Sequence, residues 1–479
     1  MDEEMEPMED MLRVVQIDGK DVVLNCEQAQ IFDFVMAKVD DLATNPCYLF
    51  VSGPAGTGKT LLLKAFRNQI NKLLGENSCL VTAPTDIAAE KHNAKTIDSV
   101  FLLRRNNGFE KLPPKEKKTL KKSLNSYKVI LIDVINYVTS TTLAQIDFRL
   151  QDVLGKKKPF GGLSVIVMGD LLQMQPNEEP AIYQNVGEQK QRTNLWRLFE
   201  ILELRDNERL NQDNHWDHSN VLEKIRSSDN VGFVHRELLK TCDLKQNSDF
   251  GVTEAITELQ KLRDAHPGKV FVILVPHEEM SMEVHQNMVT RNGPVKVCVP
   301  QVPPKQNEDH DSEDSIEEDD LEIGIGCQVM LTCDLPDFNL VAGTFGLVKG
   351  FEEDTISVQF ASGTYNIERL GEFSKQFPIR LADSLTIENS QGIEVDGVIL
   401  VAKNCWDSSD FSVLSPGHIY TALSRAKGLE LCRVTPFNAF GWKLSKSAKE
   451  EVVRMQEDNT DSGTEAVEIT HVYLSEKME

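Results

Sequence analysis

One octapeptide limits what this chain can fold into more than any other stretch of its 479 residues: Gly53-Pro54-Ala55-Gly56-Thr57-Gly58-Lys59-Thr60. An apolar run, Cys47 to Ser52, precedes it, and a segment with helical spacing, Leu61 to Leu74, follows it. A Gly-rich turn arising by accident lacks that setting of strand before and helix after. In such a loop the glycines let backbone N–H groups turn inward around phosphates at a helix N-terminus. Lys59 is placed to reach the β- and γ-phosphates, and the Thr60 hydroxyl to ligate Mg²⁺. Gly53 to Leu61 are therefore the expected nucleotide contacts, with ATP and Mg²⁺ as cofactors.

The surrounding text alternates short apolar runs with helical stretches. Leu80 to Pro84, Val129 to Asp133 and Ser164 to Gly169 read as further strands. Alternation of this kind implies a parallel sheet with crossover helices. A second set has strands at Val270 to Pro276, Pro378 to Thr386 and Gly397 to Ala402, with helices around Ser219 to Arg226, Met280 to Thr290 and Gly417 to Ala426. Between them Ile323 to Asn366 is Gly-rich and strand-turn in character, as a small β-barrel would be.

Val129-Ile130-Leu131-Ile132-Asp133 ends a buried-type strand in a carboxylate, and with a phosphate loop upstream Asp133 is the expected second Mg²⁺ ligand. An Asp after a strand is commonplace by itself. The next residue is Val134, which cannot accept a proton, although an orienting base contributes roughly 10² to 10⁴ in rate. Gly169-Asp170-Leu171-Leu172-Gln173 follows a third strand, and Gln173 is the candidate sensor of the γ-phosphate; the plain alternative is an ordinary strand exit.

Charge is unevenly spread. The net charge of −24 disfavours nucleic-acid backbones, but much of the acid lies in Glu308 to Glu322 and in the tail from about Glu450. Blocks of like charge are usually solvated and disordered. Lys111 to Lys122 is basic, suited to a phosphate backbone or simply to a solvated helix face. Nine scattered cysteines fit reduced thiols, not a disulfide framework. No apolar run approaches the roughly 18 residues of a membrane span, and no membrane association is expected.

Taken together, these blocks resemble superfamily one DNA helicases of the petite-integration-frequency (PIF) type, close to the RecD group, from Leu24 to about Asn438. Asn25-Cys26-Glu27-Gln28 is similar to the adenine-contacting segment, with Gln28 reading the base. Thr82-Ala83-Pro84-Thr85 resembles the first single-strand contact motif, Leu204 to Asp213 the fourth motif with Arg209, Leu385 to Gly392 the fifth, and Tyr420 to Arg425 the sixth. The resemblance implies an α/β chain of two RecA-like phosphate-loop NTPase domains, parallel sheets flanked by helices, with a small β-barrel inserted in the second. The expected division is an acidic segment 1–20, a first domain 21–200 with a basic wedge-like insertion at about 104–124, and a second domain 201–322 plus 378–445. The latter carries an acidic loop at about 303–322 and the barrel 323–377, and an acidic tail 446–479 closes the chain. The resemblance also implies 5′-to-3′ unwinding with single-stranded DNA and duplex junctions as partners, in DNA repair, recombination or telomere maintenance. It assigns catalytic roles to Lys59, Asp133 and Gln173, and to Arg209 and Arg425 as fingers. It implies a monomer in the nucleus, with mitochondrion or cytoplasm as alternatives.

Departures from the family pattern fall on chemistry. Val134 stands for the catalytic Glu, Asn136 for a Ser, Asp86 for a Gly, Asp98 for a His, Gln175 for a Pro, and Glu388-Asn389 for a DNA-contacting His-Lys pair. Each lost phosphate contact weakens DNA binding. Two readings result: an ATP-dependent helicase with impaired hydrolysis, or an inactive nucleotide-binding pseudo-helicase serving as a scaffold for protein partners drawn to its acidic segments.

Overall fold

A computed structural model describes residues 13–17, 19–39, 45–103, 109–176, 180–184, 194–208, 216–227, 243–244, 251–291, 294–298, 320–352, 354–369, 376–401, 417–435 and 445–461. Arg209, the acidic loop 303–319 and most of the two acidic ends lie outside these residues. The chain divides into two units, the first made of 1–229, 415–420 and 443–479, the second of 230–414 and 421–442.

The first unit opens with an antiparallel hairpin, β1 (Arg13–Ile17) and β2 (Lys20–Leu24), and α1 (Cys26–Val39). Then come β3 (Tyr48–Ser52), α2 (Lys59–Leu74), β4 (Cys79–Ala83), α3 (Asp86–Glu90), β5 (Lys95–Thr96), α4 (Ile97–Phe101) and α5 (Pro114–Leu124). β6 (Val129–Ile132), α6 (Ser140–Leu154), β7 (Ser164–Gly169), β8 (Glu200–Glu203) and α7 (Trp216–Ser227) complete its main run. The sheet order is β5-β4-β6-β7-β3-β8, all parallel. Every residue of β4, β6 and β7 is buried, as expected of a sheet covered on both faces. Because all strands run one way, their carboxyl ends bring the phosphate loop, Thr82–Thr85, Asp133 and Asp170 to one edge.

The basic segment is anchored at its base by an unusual cation. Arg149 on α6 is 2% exposed and donates to the carbonyls of Phe101, Leu102 and Glu110, so it ties both flanks of 104–108 to the core. α5 lays Leu120 and Leu124 inward and keeps most of its lysines in solvent, while Lys117 pairs with Asp152 of α6 at 2.7 Å.

The second unit has a parallel sheet ordered Ser384–Thr386, Phe271–Val275, Gly397–Leu400, Arg433–Val434 and Asp243–Leu244. Its elements are β9 (Asp243–Leu244), α8 (Val252–Ala265), β10 (Phe271–Val275), α9 (Glu278–Arg291), β11 (Val295–Cys298) and β12 (Leu321–Gly324). They continue as β13 (Gln328–Leu331), β14 (Phe345–Phe351), β15 (Ile356–Phe360), β16 (Gly363–Ile367), β17 (Ile379–Leu381), β18 (Ser384–Thr386), β19 (Gly397–Leu400), α10 (His418–Leu423) and β20 (Arg433–Val434). α10 begins within residues counted with the first unit.

Four expectations need correction. The stretch Pro378 to Thr386 is two strands: β17 pairs antiparallel with β13, and after Ala382-Asp383 β18 joins β10 in the parallel sheet. The inserted element is a five-stranded antiparallel sheet, β16-β15-β14-β13-β17, with no pairing of β16 to β17 among the described residues, so barrel closure is not seen. Nor is it a separate globule. Val329, Val348, Val358 and Ile379 share one core with Leu259, Phe271, Val284 and Ile399 of the α/β layer. Third, α7, expected in the second domain, belongs to the first unit, where Val221, Leu222 and Ile225 are buried and Arg226 meets Asp170. Finally, the acidic tail begins as an ordered helix, α11 (Lys446–Asp461). Its acid hides an apolar stripe: Ala448, Val452 and Met455 recur at helical spacing and pack into the first unit's core. Gln456 donates to Glu203, and Asn459 to the Ile201 carbonyl at 2.8 Å, which covers the β8 edge.

Candidate nucleotide site

The loop leaves β3 beside β7: the Gly53 N–H donates to the Gly169 carbonyl at 3.1 Å. Gly56 and Gly58 have φ of +90° and +85°, a region that side chains avoid. Space forbids a Cβ as well, since one at Gly56 would lie 2.4 Å from Asn207 Oδ1 and one at Gly58 2.3 Å from Gln28 Nε2. Lys59 Nζ donates to the carbonyls of Gly53 at 2.6 Å and Pro54 at 2.7 Å. Thr57 Oγ1 donates to Pro54 O at 3.0 Å, and Thr60 and Leu61 follow in the first turn of α2.

Three segments hold this loop from outside. Gln28, 2% exposed, donates to Thr57 O at 3.2 Å, and its backbone N–H bonds to Asn25 Oδ1. Asn207 Nδ2 donates to Ala55 O, and the Glu208 N–H to Gly56 O, each at 3.0 Å. The Ala55 N–H donates to the Tyr420 hydroxyl at 3.1 Å. Glu27 steadies the second segment by accepting from the N–H groups of Arg205 and Asp206; burial pushes its carboxyl up, and those two donors pull it back.

Asp133 follows β6 and is 7% exposed. Its Oδ2 lies 2.8 Å from His92 Nε2, and its Oδ1 accepts from the Val134 N–H at 2.9 Å. Burial would raise this carboxyl, but the His92 hydrogen bond and charge, with Lys91 and the Val134 N–H, hold it below the usual carboxylate range. Val134 itself sits at φ 56°, ψ 45°, where a β-branched residue is strained. Its side chain is buried with Ala83, Ala88 and Ala89, with Tyr137 packed against them. Asn136 donates to Met174 O at 2.9 Å, and Gln175 bridges Leu171 O and the Tyr183 hydroxyl, so both substituted positions brace the turn that follows β7. Gln173 is 8% exposed in the turn whose Asp170 is gripped by Arg226 at 3.0 and 3.1 Å.

Asp86 and Asp98 are exposed in the first turns of α3 and α4, where a carboxylate complements the helix dipole. Their cause can thus be local, but they still place negative charge at the loop edge of the sheet. In the second unit burial raises the Glu278 carboxyl, and Glu279 and Glu388 add to it, so Glu388 of the fifth motif neighbours two carboxylates of α9. Arg425, 6% exposed, donates to Thr421 O at 3.0 Å and Ser424 Oγ at 2.8 Å.

The structure thus brings Gln28, the loop, Asp133 and Gln173 together in the first unit; Arg425 belongs to the second, and Arg209 lies outside the described residues. His92, Asn207, Arg226 and Tyr420 as a loop contact were missed. Asn207 lies within the fourth-motif segment but had no role assigned there, Arg226 lies in no motif, and their partners are more than 50 residues away in sequence.

An oxygen donor pair, Thr60 and Asp133, suits Mg²⁺, which is held by one or two carboxylates plus substrate phosphates. Among the described residues no cluster of three or more His, Cys, Asp or Glu offers a dedicated metal cage.

Parallel strands with a phosphate loop, and one strand between it and the aspartate-bearing strand, define a RecA-like phosphate-loop fold. The model of the PIF1-like helicase family matches residues 23–231. It is 26% identical to the ATP-dependent DNA helicase PIF1 of Xenopus laevis over 88% of this chain and 62% of that protein. To ATP-dependent DNA helicase Pif1 of Bdellovibrio bacteriovorus it is 24% identical, over 87% of this chain and 89% of the relative. The chain thus spans about six-tenths of the Xenopus protein, and 51% of the Trypanosoma brucei helicase PIF6. Among solved structures, Pif1 helicase from Candida albicans superposes with a TM-score of 0.67 at 20% identity, covering 91% of this chain and all of that one. Bacteroides Pif1 bound to single-stranded DNA gives 0.58 at 23%, over 92% and 98%.

Proposed function

We propose that this chain is a PIF-type helicase fold that binds ATP with Mg²⁺ and uses nucleotide binding to gate its hold on single-stranded DNA, with hydrolysis strongly impaired. The observation that carries the proposal is Val134. It follows Asp133 directly, points into an alanine-lined apolar cluster and offers no group to orient or deprotonate water. Relatives named ATP-dependent DNA helicases, and a Bacteroides Pif1 in complex with ADP-AlF3 and single-stranded DNA, support the ligand classes.

In this reading Gly53–Leu61 wrap the phosphates, with Lys59 leaving the Gly53 and Pro54 carbonyls to pair with them. Thr60 and Asp133 would hold Mg²⁺, which supplies charge neutralisation between the β- and γ-phosphates. Gln28 reads the base at the far end of the loop. Gln173 faces the γ-phosphate, and Arg209 and Arg425 act as fingers. The carboxylates Asp86, Asp98 and Glu388 weaken DNA binding relative to a basic path, and the acidic segments offer sites for protein partners. We place the protein in the nucleus as a monomer.

The test is steady-state ATP hydrolysis with and without single-stranded DNA, beside nucleotide-binding titrations and a Lys59→Ala control. Nucleotide binding abolished in the control, with little DNA-stimulated turnover in the wild type, is expected. Robust turnover that rises with DNA would overturn the impaired reading and restore an active helicase.

A further inference from the structure

The sixth-motif segment touches the phosphate loop at an atom that the nucleotide reading does not use. Tyr420 is 2% exposed, and its hydroxyl oxygen accepts from the Ala55 N–H at 3.1 Å. Three residues earlier, Gly417 rests on the backbone of the turn after β7: a Cβ there would lie 2.7 Å from Gln173 C and 2.8 Å from Met174 N, and its φ is +91°. Residues 417–420 are therefore wedged between Gln173-Met174 and Ala55. Beside them Asp170 holds Arg226 through two hydrogen bonds, and both charges act on the phenol; burial is the first cause that keeps it un-ionised.

A phenol accepts and donates. The lone pair of Tyr420 is taken by Ala55, and among the described residues no acceptor takes its O–H. The Lys59 ammonium marks which end of the loop this is. In loops of this type that ammonium serves the β- and γ-phosphates, and here it lies on Gly53 and Pro54, the two residues before Ala55. Gln28 holds the opposite end, at Thr57.

We infer that Tyr420 is a specificity residue of the nucleotide site: its buried hydroxyl, oriented by the Ala55 N–H, donates to the terminal phosphate and lets the loop distinguish a nucleoside triphosphate from a diphosphate. The inference rests on the nucleotide-binding reading above.

The experiment measures affinities of a non-hydrolysable ATP analogue and of ADP for the wild type and for Tyr420→Phe, with Mg²⁺, in the full chain. Loss of one hydrogen bond to a charged acceptor should weaken the triphosphate about tenfold or more and leave ADP within about twofold. Because the readout is a ratio of affinities in one preparation, a general loss of stability cancels from it. An unchanged ratio, whether both ligands weaken equally or neither does, overturns the inference. Wild-type protein that binds neither nucleotide overturns the underlying reading instead.

Discussion

Replacing Val134 with Glu separates a missing base from a wider decay of the site. Val134 is 8% exposed, so extracting it from the cluster of Ala83, Ala88 and Ala89 costs about 1.5 to 3 kcal/mol of apolar burial. Its left-handed backbone offsets part of that cost. An L-residue there carries about 1 to 2 kcal/mol of strain, and an unbranched side chain crowds less than valine. The net loss of stability is about 1 to 2 kcal/mol, a drop in melting temperature of roughly 2 to 8 °C for a unit of this size. Against it stands a base contribution of about 10² to 10⁴ in rate, equivalent to about 2.7 to 5.4 kcal/mol of barrier. Phosphate release at saturating ATP-Mg and single-stranded DNA is the assay, with a Lys59→Ala/Val134→Glu double variant as the blank. We expect a gain of about 100-fold or more over the wild type. A folded variant with unchanged ATP affinity and no gain would refute the reasoning, because the loss would then lie beyond the base.

Other expectations bear on neighbouring parts of the site. Gly58→Ala should fold but lose nucleotide binding, measured by titration, since its φ of +85° and the 2.3 Å approach of Gln28 Nε2 both exclude a methyl group. Glu388→Lys removes one of three adjacent carboxylates and adds a cation, so affinity for single-stranded DNA should rise and the salt slope steepen by about 0.7 per phosphate gained. The depressed carboxyl of Asp133 contributes stability that is present above its unfolded pKa of about 3.9 and is lost as pH falls through the lower folded value. His92→Ala leaves burial to act on that carboxyl with one donor fewer, so the midpoint of acid unfolding should move to higher pH; an unmoved midpoint counts against the pairing.

The strands carrying the phosphate loop, Asp133 and Asp170 were legible because fully buried parallel strands read as continuous apolar runs. Val134 was legible as an absence of chemistry, but its left-handed backbone and its apolar lodging were not, the latter because it depends on α3 packing beside the end of β4. Pro378 to Thr386 misled because an apolar run does not show where a chain steps from one sheet to another at Ala382-Asp383. Composition hid α11: the three residues of its stripe, Ala448, Val452 and Met455, were outweighed by the acid around them. Asn207, Arg226 and Tyr420 became visible only when distant segments met at the loop, which no local pattern encodes.

The helix over the β8 edge has a consequence for how the protein is made. β8 is one of the two edge strands of the first sheet, and its cover, α11, is synthesised only after the whole of the second unit. During translation the nucleotide-binding half therefore waits with a bare strand edge and an apolar seat for Ala448 and Met455, a surface prone to pairing with other chains. Its completion is delayed by more than 200 residues of synthesis, which makes this half the one with most need of a chaperone while the chain emerges.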